Sequence, residues 1–260
     1  MEHGVITDMI LQNAMILQSQ PKWTFGKNAC NTYEVSVSHF RTPEGSVLPS
    51  WPIMQVIEQD EAMTLLFSIK LLWEAVRRTV DISRRINTNL TLSLNLLPKF
   101  AENEHFVEQV CSCLQECGLE GRRLQFELSE LQELNQQGCD NLNYLHDELG
   151  IGLTMGNFGT HRTNFPLLCK IHFDLIEMDK SFAVRIPEDE QTCRAVIAIQ
   201  HMAAALDMTV CAKGIESQEQ FEFFEEIGIY KGQGALIGAP MSMEEMEHYV
   251  RQYALPKGHA

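Results

Sequence analysis

The sequence predicts a one-domain α/β barrel, and three observations carry that expectation. From about residue 90 onward, short β-rich runs alternate with amphipathic helices. No Gly-, Ser- or Pro-rich linker, internal repeat or low-complexity tract interrupts the alternation. Polar side chains fall where each predicted strand ends. Parallel strands need long crossover connections, and an unbroken series of βα units closes most simply into a barrel. A length of 260 residues suits one such unit, so residues 1–260 are read as a single domain.

The elements follow from local pattern. Residues 1–19 read as an amphipathic helix that is part of the domain, because Ile6, Met9, Ile10, Ala14 and Leu17 recur at helical spacing. Residues 33–40 (YEVSVSHF) alternate like a half-buried strand, and residues 43–45 make a turn. A helix is expected over 59–79, with Leu65, Leu66, Ile69, Leu72, Trp73 and Val76 inward. Residues 91–96 form a strand, followed by a helix over 104–117 that Gly118 ends. The alternation continues with strand 124–128, helix 140–149, strand 152–158, a short helix over 164–169 and strand 174–178. A long helix covers 190–206, with Ala195, Ile197, Ala198, Met202 and Ala205 on its buried side. Strand 209–212, helix 218–227, a last strand at 234–237 and a closing helix at 243–253, capped by Ser242, complete the series.

Composition narrows the function classes. Apolar residues make up 45% of the chain, enough for a large core. The formal net charge is −15, which opposes a duplex-binding surface and docking on anionic membranes. Basic proteins or metal-shielded ligands are easier partners; in the acidic helix holding Glu219, Glu222, Glu225 and Glu226, the Phe spacing suggests that part is core, and the remainder is expected to offer a docking surface for a basic partner. No run of about 18 apolar residues occurs, so no spanning helix is expected. The first residues carry Glu2 and Asp8 without a basic lead, unlike a secretory signal, and the expected compartment is the cytoplasm.

Eight cysteines include the close group Cys111, Cys113 and Cys117, but no Cys-x-x-Cys or histidine pair completes a ligand set. Reduced, largely buried thiols are the expectation. The nine histidines show no i, i+4 pairing, and His161 reads as a loop residue. No Gly-x-Ser-x-Gly elbow, phosphate loop or dinucleotide fingerprint is present.

Barrels keep their functional side chains where strands end. Here Glu34, Asn95, Glu127, Asn157, Glu177, Asp179, Lys213 and Gln233 occupy such positions. Around them lie Gln20-Pro21, Glu34-Val35-Ser36, Leu94-Asn95-Leu96, Glu127-Leu128-Ser129-Glu130, Asn157-Phe158-Gly159-Thr160, Glu177-Met178-Asp179-Lys180-Ser181-Phe182, Ala212-Lys213-Gly214-Ile215-Glu216-Ser217 and Gln233-Gly234. Their order and spacing, from about residue 11 to 253, resemble the EAL domain family, which hydrolyses the bacterial second messenger cyclic di-GMP. The resemblance implies an EAL-type modified TIM (β/α)8 barrel.

Working members of that family use two divalent cations to activate water and to stabilise charge on the phosphate. By resemblance, Glu34, Asn95 and Glu127 are retained ligands, Glu216 is a retained supporting residue, and Gln20 and Gln233 would face the nucleotide. The departures are heavy. The family's Asp-Asp pair is Gly156-Asn157, its catalytic Lys is Glu177, the Glu of Ala-Glu-Gly is Lys213, and its phosphate-gripping Arg is Ser38. Glu34, Asn95, Glu127, Asn157, Glu177, Asp179, Lys213 and Glu216 are therefore expected to form a vestigial metal site, with no catalytic residue, metal or cofactor. Lys and Glu have also changed places between 177 and 213, so Lys213 is expected to pair with Glu177, Glu34 or Glu127.

Degenerate relatives act by binding other proteins, including flagellar transcriptional activators. The resemblance thus implies a non-catalytic regulator whose partner is a protein, a transcriptional regulator of motility or virulence being the model case. Direct DNA binding is not expected, and cyclic di-GMP binding is expected to be weak or absent. The alternative is a cyclic di-GMP receptor without hydrolysis, and an active phosphodiesterase is disfavoured. Active relatives often dimerise through the loop after the Asp-Asp strand, and residues 161–164 depart from that pattern.

Overall fold

The computed structural model describes residues 3–129, 133–159 and 165–255. In chain order the elements are α1 (His3–Leu11), β1 (Met15–Thr24), β2 (Ala29–Arg41), β3 (Val47–Pro49), α2 (Ser50–Gln59), α3 (Glu61–Ile86), β4 (Thr91–Asn95), α4 (Pro98–Ala101) and α5 (Phe106–Cys117). They continue with β5 (Leu124–Ser129), α6 (Gln136–Leu149), β6 (Gly152–Phe158), α7 (Phe165–Leu168), β7 (Leu175–Met178) and α8 (Lys180–Ala183). Then come α9 (Glu190–Ala205), β8 (Thr209–Lys213), α10 (Gln218–Glu226), β9 (Lys231–Gln233) and α11 (Met243–Tyr253).

Eight strands close in the order β1-β9-β8-β7-β6-β5-β4-β2, because β1 also pairs with β2, while β3 extends β2 on the outside. Strand β1 runs antiparallel to both neighbours, whereas the ladders from β2 round to β9 are parallel. The predicted α/β barrel is therefore present, modified by one reversed strand. That reversal matters for the site. The parallel strands bring their C-terminal residues to one mouth, and β1 sends its side chains up from below.

Local chemistry explains the boundaries. Asp60 caps α3 by accepting from the Met63 amide at 2.9 Å, and Asn87 ends it in the left-handed conformation. Gly118, with φ +73°, ends α5. Ser217 and Ser242 each build a capping box, at α10 and α11. Outside the strands, α3 buries Phe67, Leu71, Leu72, Ala75 and Val76. Phe106 stacks between Phe100, at 4.8 Å, and Phe126, at 5.9 Å, joining α4 and α5 to β5. No helix among the described residues is long and apolar enough to cross a membrane.

Several expectations need correction. The opening helix does not run over 1–19: it ends at Leu11, and residues 15–24 form β1. Pairing with β2 and β9 satisfies that segment's backbone, and its burial alternates with period two up to Pro21. The last barrel strand is Lys231–Gln233, three residues earlier than the apolar run at 234–237, which only turns back toward β1. Helix α9 buries Val196 and Ala203 and exposes Ala195, Ala198 and Ala205, so its inward face is rotated from the expected one. Helix α3 extends to Ile86, and Leu65, Leu66, Ile69 and Trp73 are only half-buried beside its true core face. Glu130 and residues 160–164, including His161 and the expected dimerisation loop, lie outside the described residues.

Candidate functional site

The register of the strands assembles the mouth. Gln20 stands opposite Glu34, Asn95 beside Glu127, and Lys213 beside Gln233. Glu177 is level with Cys211 on β8, two residues before Lys213. Because β1 is antiparallel, Lys22 faces Thr32, two residues below Glu34, and its side chain rises inside the barrel.

Five charges meet there. Lys22 Nζ donates to Glu177 Oε2 at 2.7 Å, to Glu127 Oε2 at 3.3 Å and to Ser93 Oγ at 3.3 Å, and lies 3.9 Å from Glu34 Oε2. Lys213 Nζ donates to Glu127 Oε1 at 3.2 Å, sits 3.6 Å from Glu34 Oε2, and pairs with Glu177 Oε1. The pairing expected from the exchanged charges is thus present, with all three carboxylates at once. The Lys22, Glu127 and Glu177 side chains are 2%, 1% and 0% exposed, while Lys213 closes the top at 20%. Asn95 Nδ2 donates to Glu34 Oε1 at 2.9 Å, and Gln233 Nε2 to Glu34 Oε2 at 3.2 Å.

The electrostatics follow from burial and the count of charges. Burial opposes the charge on Lys22, but Glu177, then Glu127 and Glu34, outweigh it and hold its pKa above the ordinary value. Burial would also raise Glu177; Lys22 and then Lys213 prevail and hold it down to about 2. Glu127 goes the other way: burial first, then repulsion from Glu177, pushes it up to about 7. Two ammonium groups neutralise two carboxylates, and Glu127 is the surplus third.

The other expected site residues serve local structure. Asp179 caps α8 by accepting from the Ser181 amide at 2.8 Å. Glu216 is exposed, and its backbone amide donates to Gln220. Gln20 Nε2 donates to the Gly238 carbonyl at 3.0 Å, and Ser38 Oγ to the Ile16 carbonyl at 3.0 Å. Asn157, the penultimate residue of β6, takes the left-handed conformation, φ +56°, where the β6–β7 register shifts. Sequence reading missed Lys22, the charge at the centre. A helical reading of residues 1–19 hid the strand that carries it. No local pattern marked it, because Lys22 is buried directly after the buried Pro21 and so breaks the period-two alternation of the strand.

Three glutamates converge closely enough to suggest a metal site, yet the donor set does not fit two divalent cations. Lys22 and Lys213 already take one oxygen each of Glu127 and of Glu177, and both lie within 3.9 Å of Glu34 Oε2. At about 4 Å and an effective dielectric near 20, a dication would repel one ammonium by roughly 8 kcal/mol. Gly156 adds no ligand. A Cβ there would strike the Glu127 side chain, whose Cγ would lie at 2.8 Å, so Glu127 occupies the room a larger residue would need.

Comparison with known proteins agrees with this architecture. Residues 5–240 match the family model described as the EAL domain. The chain is 27% identical over 239 residues to an uncharacterized signaling protein of Caulobacter vibrioides, covering 91% of this chain and 29% of that one. It is 25% identical over 218 residues to the cyclic di-GMP phosphodiesterase RocR of Pseudomonas aeruginosa, covering 82% of this chain and 54% of that one. The chain therefore spans about half or less of the length of these curated relatives. Among solved structures, the EAL enzyme Bd1971 in its cAMP and cyclic-di-GMP bound form superposes with a TM-score of 0.83 at 22% identity, over 93% of this chain and 66% of that one. By its sequence match and its barrel, this chain belongs to the EAL domain family.

Proposed function

We propose that this chain is a non-catalytic EAL-type regulator that works by binding another protein, in the cytoplasm, with residues 1–260 acting as one unit. The observation that carries the reading is the pair of ammonium groups, Lys22 and Lys213, lodged among Glu34, Glu127 and Glu177. They stand as internal counter-ions where divalent cations would be needed. On this reading Glu34, Asn95, Glu127, Asn157, Glu177, Asp179, Lys213 and Glu216 are the remnant of a metal site that now stabilises the mouth. The partner class is a basic surface, such as that of a transcriptional regulator of motility or virulence. Helix α10 suits it, with Glu219, Glu222, Glu225 and Glu226 exposed while Phe221 packs on Phe25 at 4.8 Å.

A second reading is a cyclic di-GMP receptor without hydrolysis. It draws on Gln20, Glu34, Asn95 and Gln233 and on the cyclic-di-GMP bound form of Bd1971. Against it, Gln20 and Gln233 spend their amides on Gly238 and Glu34. Calorimetric titration of the chain with cyclic di-GMP separates the two. No binding at micromolar ligand is expected; micromolar or tighter binding would favour the receptor. In affinity capture from the native cell, a reproducible protein partner is expected, and Glu222→Lys with Glu225→Lys should abolish its capture. Capture that ignores the charge reversal would remove α10 as the docking face.

A further inference from the structure

At the opposite end of the barrel, we propose a second, unrelated site: His146, Asp147 and His172 bind one divalent transition-metal ion of the zinc class. His146 and Asp147 lie in the last turn of α6, just before β6, and His172 lies in the segment leading into β7. The site therefore sits at the N-terminal ends of the strands and does not depend on the reading of the mouth.

The geometry is that of a half-built coordination shell. His146 Nδ1 and His172 Nδ1 each lie 2.9 Å from Asp147 Oδ1. Donor atoms about 2.0–2.1 Å from a tetrahedral ion are about 3.3 Å apart, so small shifts would receive one. The two rings are 5.8 Å apart at 77°, which lets both nitrogens converge without the rings clashing. Two imidazoles and one carboxylate are a donor set for zinc, copper or nickel and a poor one for magnesium or calcium.

The surroundings hold these ligands in place. His146 Nε2 lies 3.1 Å from Asp174 Oδ1, and the other Asp174 oxygen accepts from the Leu153 amide at 2.8 Å. A carboxylate on the far ring nitrogen is the usual support for a metal-bound histidine: it fixes the ring and raises its basicity. Asn143 accepts from the His172 amide at 3.0 Å and donates to the Lys170 carbonyl at 2.8 Å, fixing the segment on which His172 rides. The C-terminus of α6 and the chain's net charge of −15 both favour a cation here. Asp147 is 49% exposed, leaving an entry path and a fourth position open to water. Bound metal would replace the protons that Asp147 now shares with the two rings, and would clamp α6 to the lead-in of β7.

Calorimetric titration of the full chain with zinc chloride under reducing conditions tests the proposal, with cobalt(II) absorption as a second readout. One equivalent is expected to bind at micromolar affinity or better and to give tetrahedral cobalt bands. His146→Ala and His172→Ala should each weaken binding at least about tenfold, and Asp174→Asn about tenfold through the support it gives His146. These side chains are at the surface, so circular dichroism should find the variants folded. No binding by the unmodified chain would overturn the proposal. So would full retention by the His146→Ala/His172→Ala double variant, which would place the ion on the cysteines.

Discussion

Lys22→Met is expected to lower folding stability by about 3–5 kcal/mol at pH 8, measured by chemical denaturation, because it leaves Glu34, Glu127 and Glu177 to share one ammonium, Lys213. Methionine matches the lysine stem in shape, so lost packing contributes little. The loss should shrink at pH 5, where the orphaned glutamates take up protons. Adding Glu177→Met to Lys22→Met should recover at least half of it, since an apolar pair can replace a buried ion pair at little net cost. Glu127→Gln behaves differently and is expected to change stability by less than about 1 kcal/mol at pH 7. Its carboxyl is the surplus one, pushed up to about 7. A folded-state value above the unfolded one gives stability that is complete below about pH 4.5 and lost as pH rises through 7. The native chain should therefore lose about 1–3 kcal/mol between pH 5 and pH 8 that the Glu127→Gln variant keeps. Glu177 titrates near 2, so its contribution stays constant across that window. Equal pH profiles for the two proteins would contradict the assignment of Glu127 as the surplus charge.

Gly156→Asp, which returns an acidic ligand to its family position, should destabilise the chain by about 2–4 kcal/mol instead of restoring a metal site. The new Cβ meets the Glu127 side chain, and the new carboxylate adds a fourth negative charge to a cluster with only two ammonium groups. Adding manganese should not recover the lost stability. A manganese-dependent rise in the melting temperature of this variant, absent from the unmodified chain, would mean that the mouth still accepts a dication once one ligand is returned.

How much of this was legible in the sequence depended on what each segment packs against. The parallel βα units declare themselves because their strands are short apolar runs and their helices carry clear starts and stops, such as Ser242 before α11 and Gly118 after α5. Strand β1 hides because its inward positions include Ser19 and Pro21, so an apolar stripe continued as a helix reads better than it folds. Strand β9 hides because Lys231, Gly232 and Gln233 are polar or small yet fully inside. The inward face of α9 was misplaced because alanines surround that helix, and small residues do not distinguish its faces. At the site, the exchange of charge between positions 177 and 213 was enough to foresee the Lys213 contacts. Neither Lys22 nor the histidine pair at 146 and 172 could be foreseen, since the closed barrel brings β1 under Glu177 and the packing of successive βα units brings residue 172 beside α6.

On the reading proposed here, Lys22 and Lys213 stand in the barrel mouth in place of two metal ions. Incubating the purified chain with cyclic di-GMP and magnesium or manganese, and following release of the linear dinucleotide, tests it most directly. The His146→Ala/His172→Ala variant, run in parallel, removes any contribution from the opposite end of the barrel. We expect the rate to equal that of buffer containing the same metals. Metal-dependent release of the linear product, abolished by Glu127→Gln, would contradict the account.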